Sequence, residues 1–247
     1  MKLSFHGAAQ TVTGSKHLIT LSTGKQYLLD CGMFQGLGRQ ADMLNRHWGF
    51  VPQDIDALIL SHAHIDHSGL IPKLVKEGFS GPVYCTPATR ELCGILLEDS
   101  AAIQEDEVKY VNKHRVAEGQ PVLKPLYTEE DAVAAMTNFH PVDYSKWVRL
   151  DEQVELMFTD VGHIIGSAAV HLRINDKGKT TQLTFSGDVG RYRDIILPSP
   201  KEFPQADHII LESTYGNSLH DLVKTTPDLL LYWIEKTCLQ QIGRAHV

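Results

Sequence analysis

The chain has 247 residues, long enough for one large domain or two small ones. Hydrophobic residues make up 43% and charged residues 21%, the mixture of an ordinary globular protein. The formal net charge of -7 argues against a surface that binds nucleic acid mainly by neutralising phosphate, but not against an enzyme that grips phosphate locally through metal ions.

No apolar run reaches the roughly 18 residues of a membrane-spanning helix. The opening MKLSFHGAAQ lacks the apolar centre of a signal peptide. A cytoplasmic protein with no membrane partner is therefore expected. Cys31, Cys85, Cys93 and Cys238 are scattered and form no CxxC pair, so buried free thiols are expected rather than disulfides or a thiolate metal site.

In chain order, short apolar or alternating runs predict strands over Lys2–His6, Lys16–Leu21, Lys25–Asp30, Ala57–Leu60, Pro82–Cys85, Val154–Thr159, Ala169–Ile174, Thr181–Ser186 and His208–Glu212. Ser-Thr-Gly and Asn-Asp-Lys-Gly divide the second and third and the seventh and eighth of these, which suits hairpins. Helices are predicted over Ser68–Glu77, Ala88–Lys113, Glu129–Asn138 and Pro227–Gln240, with Thr128 and Asp131 spaced as a capping box. Residues 114–127 read as a loop. Strands interspersed with helices predict an α/β layered domain. The chain closes on QIGRAHV without a cap or closing strand. Its last six residues, IGRAHV, match a translated sequencing adapter in one reading frame, so 242–247 are expected to be a non-native tail on a shortened gene.

The stretch LSHAHIDHSG carries the chemistry. In an extended segment His62 and His64, two positions apart, point the same way and reach one metal. Asp66 and His67 follow where the chain turns into a helix, and can face a second metal. Imidazole and carboxylate ligands suit zinc, with manganese or iron also open. Downstream, GHIIGSA carries His163 after a strand. FSGDVG places Asp188 at another strand end, where its two oxygens suit it to bridge two cations.

HAHIDH, His163 and Asp188 together resemble the motifs of the metallo-β-lactamase superfamily, and Asp30 in LLDCG resembles the motif that supports its metal loop. LESTYG, with Glu212, resembles the first signature of the β-CASP branch, home of bacterial ribonucleases and of the cleavage and polyadenylation factor endonuclease. The resemblance runs from about residue 2 to about residue 241. It implies an αββα sandwich, incomplete at the C-terminus, with 1–213 as metallo-β-lactamase domain and 214–241 as the start of a β-CASP domain.

It also implies that His62, His64 and His163 hold one zinc, that Asp66 and His67 hold a second, and that Asp188 bridges. Asp66, Asp188 and Glu212 are the implied catalytic residues. Glu212 would orient a ligand histidine or the water. A hydroxide held by two zinc ions would attack phosphorus in RNA. The family's two later histidines have no counterpart here: His208 reads as structural, His220 lies near the signature without a ligand role, and His246 falls in the tail. The second zinc is thus expected to be under-coordinated and this chain weak or inactive, while the longer protein could pair as a homodimer. The alternatives are a glyoxalase- or lactonase-like ester or thioester hydrolase on the same fold, and a non-catalytic scaffold.

Overall fold

The structure is a computed structural model, and it describes residues 1–36, 38–219 and 226–239. The chain divides into two compact units, Met1–Glu212 and Ser213–Val247. His220, His246 and the closing residues 242–247 lie outside the described residues.

The first unit runs β1 (Lys2–Phe5), β2 (His17–Thr20), β3 (Gln26–Leu29), α1 (Arg39–Arg46), β4 (Ala57–Ile59), α2 (Ile65–Ser68), α3 (Ile71–Lys76), β5 (Val83–Cys85), α4 (Pro87–Ala117), α5 (Glu129–Ala135), β6 (Phe139–Pro141), β7 (Val148–Arg149), β8 (Val154–Asp160), β9 (Ala168–Asp176), β10 (Lys179–Phe185) and β11 (His208–Ile210). Six strands form one sheet in the order β1-β2-β3-β4-β5-β6, and five form the other in the order β11-β10-β9-β8-β7. β1 to β3 pair antiparallel and β3 to β6 parallel. The second sheet is antiparallel except for β10 with β11.

Strand alternation explains why two cores form around the first sheet. Leu18, Leu28 and Leu58 face the helices and pack with Leu70, Leu74, Leu97 and Ala132. Their neighbours Ile19, Leu29 and Ile59 face the second sheet and pack with Leu156, Phe158, Val170 and Leu183. The layers of this unit are thus helices, sheet and sheet. The fully buried β4 ends in the middle of that stack, and the next residues begin the histidine cluster.

Both expected hairpins form, β2 with β3 and β9 with β10. The capping box is complete: Thr128 Oγ1 accepts from the Asp131 amide, and the Asp131 carboxylate accepts from the Thr128 amide. Three expectations are corrected. The single helix over Ser68–Glu77 is two helices, because Pro72 has no N–H to continue the bonding from Ser68 and the chain restarts at Ile71. The long helix α4 extends to Ala117, four residues further than expected, and shortens the loop after it. Cys31, Cys85 and Cys93 are buried free thiols, but Cys238 is exposed.

In the second unit, α6 (Thr226–Leu239) covers the described part of the expected helix; Gln240 lies outside the described residues. No described helix is long and apolar enough to cross a membrane.

Candidate metal centre

The site is built from four strand ends. After β4, Ser61 to His64 continue extended, and His64 caps α2 with φ -56° and ψ 145°. The two-residue spacing brings His62 Nε2 to 3.1 Å from His64 Nδ1. His163 comes from the turn between β8 and β9. Ser167 Oγ fixes that turn by accepting from the amides of His163 and Ile164, and His163 Nε2 arrives 3.1 Å from His64 Nδ1. Asp188 comes from the turn after β10. Gly187 there has φ 54°, and a Cβ on it would stand 2.8 Å from Ser61 Cβ, so only glycine lets Asp188 reach the histidines.

His62, His64, His163 and Asp188 each offer a ligand atom, all within 4.8 Å of one another. Asp188 Oδ2 lies 3.4 Å from His163 Nε2 and 3.8 Å from His62 Nε2. Ligands bonded tetrahedrally at zinc's usual ~2.0–2.1 Å stand about 3.3 Å apart, so this donor set fits one such ion. The electrostatics agree. Burial pushes the His62 imidazole well below its ordinary range, and the neighbouring histidines push it further. Burial and His163 also lower His64. Neutral rings with free lone pairs are what a divalent metal requires.

A second group adjoins the first through the same carboxylate. Asp188 Oδ1 lies 3.3 Å from His67 Nε2, which is 3.7 Å from Asp66 Oδ2. The two oxygens of Asp188 therefore face two donor sets. On its other side His67 Nδ1 meets Asp30 Oδ2 at 2.6 Å. Burial pulls His67 down, but the charge of Asp30 and the bonds to Asp188 and Asp30 outweigh it and raise the ring to about 10. Asp188 is held low despite its burial by His67 and the charges of His163 and His64.

Asp30 is fully buried at the end of β3. It supports the loop, as the resemblance implied: it accepts from the Ser61 amide at 2.8 Å, from Ser61 Oγ at 2.9 Å and from Ser15 Oγ at 3.2 Å. Glu212 lies two residues beyond β11. Its Oε1 accepts from the Val189 amide at 2.6 Å, so it holds the backbone beside Asp188. His208 opens β11 and is exposed.

Ser15, Ser61 and Ser167 hold the ligands in place and carry no pattern of their own in the sequence. Ser61 abuts the histidine run, but nothing local shows that Asp30 would meet it. Two further histidines, His17 and His171, are buried away from the ligands: His17 lies edge-on to Phe5 and Phe185, and His171 bonds Thr159 and Thr184.

A family model described as "Metallo-beta-lactamase superfamily" matches residues 14–232. "Ribonuclease TTHA0252" of Thermus thermophilus is 38% identical over 240 residues, which cover 97% of this chain and 50% of that protein. "Transcription termination factor FttA" of Methanocaldococcus jannaschii is 32% identical over 217 residues, 87% of this chain and 32% of that protein. An "RNase J-like protein" of the same organism is 30% identical over 220 residues, 88% of this chain and 43% of that protein. The chain thus spans half or less of the length of these relatives.

Proposed function

The chain belongs to the metallo-beta-lactamase superfamily, and on that premise we propose that it is the catalytic part of a zinc-dependent hydrolase of the β-CASP type, cutting phosphodiester bonds in RNA. The observation that carries the proposal is the position of Asp188, whose Oδ2 faces His62 and His163 while Oδ1 faces His67. Relatives bearing the names ribonuclease and transcription termination factor support RNA as the substrate. On this reading residues 1–213 form the hydrolase domain and the chain from 214 opens the β-CASP domain.

His62, His64, His163 and Asp188 Oδ2 would hold one zinc, and Asp66, His67 and Asp188 Oδ1 a second. Two such ions, when bound, lower the pKa of a water to roughly 7 and neutralise charge on the phosphoryl oxygens. The protein's own work is orientation. Asp30 accepts from His67 Nδ1–H, which points Nε2 at Asp66 and Asp188. Without metal those carboxylates favour a proton on Nε2, and a bound zinc would take that proton's place. Burial keeps His62 neutral. Glu212 fixes the Val189 amide and, through it, the direction of the Asp188 carboxylate.

The test is cleavage of a labelled single-stranded RNA by the chain extended to the length of its relatives. Fragments should appear, stop on addition of chelator and return with zinc. Hydrolysis of thioesters with RNA left intact would contradict the proposal and favour a glyoxalase- or lactonase-like activity.

A further inference from the structure

We propose that the segment from Gly190 to Pro200 is a docking rim for single-stranded RNA beside the metal cluster, with Tyr192 stacking a base and Arg193 meeting phosphate. This rests on the RNA reading above. The segment leaves the site two residues after Asp188, and both its ends are tied to the turn that carries His163. The Gly190 amide donates to Val161 O at 2.8 Å, and the Lys201 amide donates to Asp160 O at 3.0 Å. A Cβ on Gly190 would stand 1.8 Å from the Gly162 carbonyl oxygen, so the two turns touch only because that position is glycine.

Between these anchors the segment holds its own shape. Asp194 Oδ1 accepts from the amides of Ile196 and Leu197, and Ser199 Oγ accepts from the Arg193 amide. It nonetheless turns large side chains outward: Tyr192 is 74% exposed, Ile195 94% and Ile196 88%. Arg193 sits at φ 63°, where glycine is favoured and a long side chain is costly. Its side chain is exposed beside Tyr192.

The returning limb adds a concave surface. Leu197 and Pro198 wall a cavity of about 380 Å³ whose other walls include Pro87, Tyr144, Ile164 and Ile165, the last two following His163 directly. That volume falls in the range of small-ligand sites, ~300–1,000 Å³, and suits a base. Exposed aromatic and apolar groups interleaved with cations are how single strands are held without sequence preference. Arg191 and Arg193 against Asp194 leave the segment one positive charge in a protein of net charge -7, enough for one phosphate contact.

The experiment is binding of a labelled single-stranded oligouridylate to the zinc-loaded chain, followed by fluorescence anisotropy across a salt series. Tyr192→Ala should weaken binding by about tenfold. Arg193→Gly should reduce the slope of log affinity against log salt by about 0.7, one phosphate contact, while Tm holds or rises because the backbone strain is relieved. Lys109→Ala, on α4 outside the segment, should change neither. Variants that bind with the parent's affinity and salt slope would overturn the rim and leave the RNA reading standing. A Tm loss that tracks the binding loss in Arg193→Gly would overturn it as a folding effect. No binding by the parent would overturn the rim, while the RNA reading is decided separately by cleavage with the extended chain.

Discussion

Asp30 Oδ2 and His67 Nδ1 stand 2.6 Å apart, although 37 positions separate the two residues in sequence. The contact joins the end of β3 to the first turn of α2 and lies out of reach of solvent. It fixes which nitrogen of His67 faces Asp66 and Asp188. Asp30→Asn keeps the shape and removes the charge. It should lower zinc affinity by about 10–100-fold, as loss of such outer partners typically does. Zinc titration against a competing chelator reads this, and an unchanged affinity would contradict the role given to Asp30.

Glu212 acts one step further from the chemistry. Glu212→Ala removes the acceptor of the Val189 amide and lets the turn of Asp188 drift. RNA cleavage by the longer protein should fall by about 10-fold or more, while the zinc at His62, His64 and His163 is retained. Metal content and rate, measured on the same sample, separate the two effects. A parallel loss of both would show that Glu212 maintains the first zinc site instead.

Acid should destabilise the fold from about pH 6.5 downward. Burial lowers His17 and His171 to about 4 from an ordinary 6.5. The unfolded chain therefore takes up protons below pH 6.5 that the folded chain refuses until about pH 4. Stability conferred by the neutral rings is complete above 6.5 and is lost as pH falls through that window. Thermal melts from pH 7 to pH 4 should show falling Tm. In His171→Asn, which keeps a polar group between Thr159 and Thr184, the fall should be shallower. A Tm independent of pH across this window would contradict the burial of neutral rings.

The capping box offers a local test. Thr128→Ala leaves the Asp131 amide without its acceptor and should cost about 1 kcal/mol in denaturant unfolding. A variant as stable as the parent would show that α5 is held by packing alone.

What the sequence made legible follows a physical rule: features encoded within a few residues can be read, and features made by distant pairing cannot. His62 and His64 are readable because strand geometry fixes their direction. Thr128 and Asp131 are readable because a cap spans four positions. β6 and β7 are not readable because FHP and VR carry no apolar or alternating run, and they form through pairing with β5 and β8. The polar helix α1 gave no apolar stripe to read. The break at Gly69–Leu70 was hidden by an apolar run, although Pro72 was its signal. His163 and Asp188 were found through resemblance to a family; their spacing from the histidine run carries no geometric information. The serines behind the ligands stayed silent because a buried hydroxyl's partner is chosen by the fold.

The central claim is that donors from separate strand ends converge on a pair of cations, and anomalous scattering at the zinc edge from crystals of the zinc-loaded chain tests it most directly. Peaks are expected within about 2.0–2.2 Å of His62 Nε2, His64 Nδ1, His163 Nε2 and Asp188 Oδ2, and beside Asp66, His67 and Asp188 Oδ1. Zinc bound elsewhere, with these side chains holding only each other or water, would contradict the account.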